Sequence, residues 1–119
     1  MIQSFRDLQV YEKSYALSVK MYQFANTLPS EERYGLISQI KRASTSIPLN
    51  IAEGYGKRSS AAEFKRFLLM AKGSCNEMQV LLDLSRDLGY MSRASHEETT
   101  GAYDEVARML SGLIAKWQV

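Results

Sequence analysis

The stretch YGLISQIKRASTSIPLNIAEGYGKRSSAAEFKRFLLMAKGSCNE, residues 34–77, decides how this chain folds. Read at 3.6 residues per turn, its first half places Leu36, Ile40, Ala43, Ile47 and Ile51 on one face, an apolar stripe fit for a bundle core. Beside that stripe runs a line of Gln39, Arg42, Ser46, Asn50 and Glu53, all able to hydrogen-bond. A polar group left buried and unpaired costs about 1–3 kcal/mol, so this line must be paired or kept wet. The helix therefore reads as a contact element, with its own bundle on one side and something polar on the other.

Within this helix Pro48 removes one backbone hydrogen bond and crowds the preceding turn, which predicts a kink and a freed carbonyl near Ser44. The helix is expected to start after Ser30, with Glu31 and Glu32 in its first turn, and to run to about Glu53 before the Gly54-Tyr55-Gly56 turn. Ser60 with Glu63 predicts a capping box for the next helix. Phe64, Phe67, Leu68, Ala71, Cys75, Met78 and Leu82 keep its apolar face until Gly89 stops it. Gly73 and Ser74 interrupt it with small side chains, which predicts a close helix crossing there.

On the N-terminal side, a helix from near Ser4 to before Pro29 carries two apolar stripes. Leu8, Tyr11, Tyr15, Val19 and Tyr22 form one; Val10, Leu17, Met21, Phe24 and Leu28 lie nearly opposite. A helix apolar on two sides is covered twice. Val10, Leu17, Met21 and Phe24 are accordingly expected to meet another subunit. The last helix opens near Ser92 or Ser95 and keeps Tyr103, Val106, Leu110, Leu113, Ile114 and Trp117 on one side. With no strand signal and short connectors, the chain reads as all-α, an antiparallel up-down-up-down four-helix bundle spanning 1–119 as one domain.

Charge is unevenly placed. Lys41, Arg42, Lys57, Arg58, Lys65, Arg66 and Lys72 face only Glu53 and Glu63 between residues 41 and 72, a local +5, while the rest of the chain carries −3. Those seven bases are the candidate contacts for RNA or DNA phosphates, with a solvated helix face as the alternative. Gln39, Arg42, Ser46, Asn50, Glu53 and Glu77 form the candidate polar network, read either as packing across helices or as a ligand contact. In the packing reading, Arg42 pairs with Glu53 or Glu77, and Gln39 and Asn50 cap the groups that Pro48 frees.

Several chemistries are disfavoured. Di-iron bundles need Glu-x-x-His pairs, and this chain has one histidine, His96, expected to be exposed in a helix's first turn. No metal or cofactor is expected. Cys75 lies on an apolar stripe, expected as a buried inert thiol, and a single cysteine cannot form an internal disulfide. Gly56-Lys57 fails as a P-loop end because Ile51 stands at the first glycine position and Arg58 at the Ser/Thr position. Nothing assembles a nucleophile, an oriented base and an oxyanion site, so no enzyme is expected. The N-terminus lacks a signal-peptide core, and no apolar run approaches the ~20 residues that cross a bilayer, so a cytoplasmic protein without membrane contact is expected.

The core pattern Tyr34-Gly35-Leu36, Gln39, Arg42-Ala43, Ser46-Ile47, Asn50-Ile51-Ala52-Glu53-Gly54, Arg58, Glu63-Phe64, Phe67-Leu68, Ala71, Gly73-Ser74 and Glu77, with FRDLQVYEKS at 5–14 and LGY at 88–90, resembles the four-helix-bundle proteins encoded in intervening sequences of bacterial 23S ribosomal RNA genes. The similarity covers about residues 5–115. Departures are small: Tyr11 where tryptophan is frequent, Lys72 where arginine is usual, and Cys75 at an apolar position. The resemblance implies a homopentameric ring. A distant relative, the accessory variability determinant protein of diversity-generating retroelements, binds nucleic acid and a reverse transcriptase. The leading reading is thus a non-enzymatic oligomeric accessory protein that binds RNA or DNA through the backbone. The alternative is an interaction scaffold that docks a protein partner such as a polymerase or reverse transcriptase.

Overall fold

The computed structural model describes residues 1–117 and shows a four-helix bundle 46 × 25 × 21 Å in extent, with no strand among those residues. Its helices are α1 (Gln9–Ala25), α2 (Ser38–Gly56), α3 (Ala61–Asp87) and α4 (Arg93–Lys116). They run up, down, up and down, with α2 packed between α1 and α3 and α4 closing against α3.

The helix ends follow local chemistry, with three departures from the periodicity. Ser4 and Asp7 do form a capping box, but over a 3₁₀ turn at Phe5–Asp7, and α1 begins only at Gln9. Ser30–Glu32 is likewise a 3₁₀ turn, followed by one π turn at Arg33–Ile37 whose Gly35 leaves helical backbone geometry (φ −115°, ψ −106°). At Ser60 only half the predicted box forms. The Ser60 hydroxyl accepts from Glu63 N–H at 3.2 Å, but the Glu63 carboxylate turns to Arg66. Gly89, at φ +82°, ends α3 in a Schellman arrangement in which Tyr90 N–H donates to Ser85 C=O and Gly89 N–H to Arg86 C=O. The Tyr90 hydroxyl then donates to Glu32 at 2.9 Å, tying this turn to the α1–α2 connection.

Pro48 is embedded in α2, which continues as α-helix on both sides of it. The carbonyl that its missing N–H leaves free belongs to Ser44, and the Ser18 hydroxyl of α1 donates to it at 2.8 Å in a buried position. Gln39 and Asn50, the residues expected to cap the freed groups, do not reach it. Asn50 donates instead to Ser46 C=O at 2.7 Å, and Gln39 stands exposed.

The Ser18 bond fixes which side of α1 faces inward, and it reverses the sequence expectation. Val10, Leu17 and Met21 are only 4%, 6% and 3% exposed within this single chain, and Phe24 packs partly buried against the same core. They are core residues and not a subunit face. Tyr15, Val19 and Tyr22 look outward at 55%, 44% and 41% exposure. The physical reason lies in the side chains. A tyrosine carries a polar tip that is easily left wet, whereas leucine and methionine do not.

The close helix crossing also moves. Gly73 is exposed, and an added Cβ there would meet nothing within 4 Å. At Gly54 it would lie 2.7 Å from the Phe67 Cβ and 3.1 Å from the Phe64 ring, so α2 and α3 approach closely at that glycine.

Two tests follow from this packing. Ser18→Ala should lower stability in urea denaturation by about 1–2 kcal/mol by orphaning the Ser44 carbonyl. Much of that loss should vanish in a Pro48→Ala background, where the backbone supplies its own N–H. Gly54→Ala should cost about 1–3 kcal/mol by overpacking, whereas Gly101→Ala in α4, which meets nothing within 4 Å, should gain up to about 1 kcal/mol.

Candidate nucleic-acid interface

The seven bases between Lys41 and Lys72 do not share one face. Lys41 lies on the α1 side of α2, its ammonium 5.0 Å from the centre of the Tyr22 ring. Arg42 bridges from α2 to Glu77 of α3. Lys57, Arg58 and Arg66 gather at the α2–α3 turn over two buried aromatics. Lys57 and Arg66 sit 4.9 and 4.5 Å from the Phe67 ring centre, and the Arg58 guanidinium lies 4.0 Å from that of Tyr55. Lys65 and Lys72, seven residues apart and hence on one line of α3, occupy the flank that turns toward α4.

Neighbouring acids neutralise part of the patch. Lys57 lies 3.7 Å from Glu53, Arg66 binds Glu63 through Nε at 3.0 Å, and Arg42 is paired as above. The Arg66 hydrogen bond holds the Glu63 carboxyl below its ordinary range, and the same bond raises the Arg66 guanidinium. Arg58 donates from Nη1 to Tyr55 C=O at 2.9 Å, so it doubles as a cap for the end of α2. Lys41, Arg58, Lys65 and Lys72 have no acid within ion-pair distance among the described residues.

The polar line of α2 divides in the same way. Ser46 Oγ sits 2.5 Å from Ser74 Oγ, and with Arg42–Glu77 it makes the two side-chain bridges from this line to α3. Asn50 stays on its own helix, Glu53 is held by Lys57, and Gln39 faces solvent. Gly73-Ser74 thus contributes a hydroxyl partner for Ser46 where a close crossing was expected.

Elsewhere, burial pushes the Cys75 thiol up to about 12, which leaves almost no thiolate near neutrality. The Tyr103 phenol is likewise raised by burial, and its hydroxyl has no hydrogen-bond partner among the described residues. His96, expected in the open, is buried instead. Its Nε2 lies 2.8 Å from Asp83 Oδ1, so the first turn of α4 packs onto α3 through that ring. The signal for it was present in the spacing, because His96 precedes Tyr103, Val106 and Leu110 by seven, ten and fourteen residues on the core face of α4. Among the described residues no three His, Cys, Asp or Glu side chains converge as a metal site would need.

A sequence model described as 23S rRNA-intervening sequence protein matches residues 6–112. The crystal structure of a protein of unknown function from the S23 ribosomal protein family of Bacteroides thetaiotaomicron VPI-5482 superposes with a TM-score of 0.79 at 28% identity, covering 88% of this chain and 97% of that one. No curated protein matches. With nearly the whole bundle spanned by the family pattern and the fold shared along its length, the chain belongs to the 23S rRNA-intervening sequence protein family.

Proposed function

We propose that this chain is a non-enzymatic accessory protein that self-assembles and binds RNA or DNA through backbone phosphates. The observation that carries the reading is the set of bases without acid partners, Arg58 at the α2–α3 turn with Lys65 and Lys72 along α3. Lysine ammoniums and an arginine fork offer charge to phosphate without reading base edges. Three or four such groups on one bundle make a weak site. Repetition around an oligomer, which we take to be the five-membered ring of the family resemblance, multiplies it, since avidity can exceed single-site affinity by about 10²–10⁴ where geometry permits simultaneous contact. The lone Cys75 suits a reducing cytoplasm, and no helix among the described residues is long and apolar enough to cross a membrane.

A second reading, a scaffold that docks a protein partner, draws on the outward-facing Leu69, Val80, Leu84 and Leu88 of α3. Apolar side chains exposed among polar neighbours mark interaction surfaces. In that reading the unpaired bases steer the partner electrostatically and do not hold phosphate.

Electrophoretic mobility with generic RNA and DNA at low and moderate salt separates the two. Micromolar protein should retard both polymers at low salt and release them as salt rises, and the log–log slope should lessen by about 0.7–0.9 for each phosphate contact removed. Lys65→Ala with Lys72→Ala should weaken binding equally across sequences. No shift at low salt ends the nucleic-acid reading and leaves the scaffold.

A further inference from the structure

We infer that the cavity between α3 and α4 receives one unstacked base of a single strand of RNA or DNA whose phosphates lie on Lys72 and Lys65. The inference rests on the phosphate-binding reading above and names its substrate class, a single strand in place of a duplex. The cavity measures about 440 Å³, inside the roughly 300–1,000 Å³ of sites that take small organic molecules. Asn76 of α3 and Glu97 and Asp104 of α4 stand in its walls, Cys75 and Tyr103 are buried beneath them, and Gly101 leaves the α4 side open.

The register of the two helices places the lysines. Gln79 Nε2 donates to Thr100 C=O at 3.0 Å and closes one end of the cavity, and one turn further on Asp83 Oδ1 lies 2.8 Å from His96 Nε2. Because α3 and α4 run antiparallel, the same register sets Lys72 level with Ala107, which lines the opposite end. Lys72 has no acid within ion-pair distance among the described residues. Lys65, equally unpaired, continues the line seven residues, about 10 Å, nearer the α2–α3 turn. A strand laid along these two ammoniums passes the open end of the cavity and can turn a base into it.

The walls offer what a base edge needs. Arg108 neutralises Asp104, but the Asn76 amide and the Glu97 carboxylate have no side-chain partner among the described residues. The Tyr103 hydroxyl beneath them, on a fully buried ring, has none either. An amide donates and accepts, whereas a carboxylate only accepts. Together they suit adenine, cytosine and guanine, each of which carries an exocyclic amino group beside an acceptor. Uracil and thymine flank their one N–H with carbonyls, and would turn a carbonyl toward Glu97. Gly101, with nothing within 4 Å of an added Cβ, lets a flat ring approach the α4 backbone. In a duplex the base is stacked and its edge engaged, so it must first be extruded, a cost that a single strand does not bear.

The test is fluorescence anisotropy at low salt with labelled RNA strands of about twelve nucleotides. The probes are oligo(A), oligo(C), oligo(U), an abasic strand with the same phosphates, and a duplex. Oligo(A) and oligo(C) should bind about fivefold or more tighter than oligo(U) or the abasic strand. Gly101→Leu, which fills the cavity from an open position, should bring oligo(A) and oligo(C) down to the abasic level while leaving the duplex and the salt slope unchanged. Glu97→Gln, whose amide can donate to a carbonyl, should narrow the gap to oligo(U). Lys72→Ala should weaken every strand alike, the abasic one included. Equal binding of base-bearing and abasic strands overturns the inference and leaves phosphate binding standing. So does a base preference that neither Gly101→Leu nor Glu97→Gln alters. No binding of any probe at low salt ends the phosphate reading itself, and this inference with it.

Discussion

The buried hydrogen bond from Ser18 to the Ser44 carbonyl is the constraint around which the bundle is arranged. A proline in the interior of a helix leaves one carbonyl without its N–H, and at a buried position water cannot supply the substitute. In α2 the missing donor is replaced from α1, and a hydroxyl on a short side chain has little reach. The bond requires α1 to lie close to α2 at this level, with Ser18, which also lies 3.0 Å from Ser14 C=O of its own helix, facing the Ser44 carbonyl. Once Ser18 points inward, Ser14, Leu17 and Met21 turn inward with it, and Tyr15, Val19 and Tyr22 are carried to the outside. From there α2 hands the register to α3 through Ser46–Ser74, Arg42–Glu77 and the tight approach at Gly54.

Electrostatics on this scaffold is a matter of helix geometry as much as of composition. The local excess of positive charge survives folding only in part, because acids three or four residues away on the same helix claim Arg66 and Lys57. Arg42 is claimed across helices. All these groups are well exposed, so the pairs contribute little stability, but they compete with any phosphate for the same cations. Of the seven bases, those that remain unpaired among the described residues are spread over three places: Lys41 beside Tyr22 on the α1 side of α2, Arg58 at the α2–α3 turn, and Lys65 and Lys72 along α3. That distribution suits summation over several copies better than a single recognition surface.

Much of this architecture was legible in the sequence. The four helices, the Ser60 N-cap, the stop at Gly89 and the apolar face of α3 all follow from periodicity and capping chemistry, and of the two serines offered for the start of α4 the structure takes Ser92. The carbonyl freed by Pro48 was legible too, but its donor was not, since Ser18 lies twenty-six residues away from Ser44. The close crossing was assigned to Gly73 because that glycine interrupts a helix, whereas Gly54 was placed in a turn after Glu53; α2 instead runs on through Gly56, and Gly54 lies inside it with the Phe64 and Phe67 side chains of α3 against it. His96 was misjudged because a helix's first turn is usually solvated, whereas here it lies against α3 beside Asp83.

From the amino-acid order alone came the helical periods, the start and stop of α3, the proline that must be compensated, the uneven charge and the family pattern, all of them properties of neighbours within a few turns. The tertiary structure decided which of two apolar stripes on α1 became core, which glycine became the crossing and which bases kept their charge available. Those choices depend on what lies across the bundle. Periodicity alone does not choose between two apolar stripes; the choice is made where leucine and methionine fill the space between helices, tyrosine tips stay wet, and the Ser18 hydroxyl reaches the Ser44 carbonyl across the bundle.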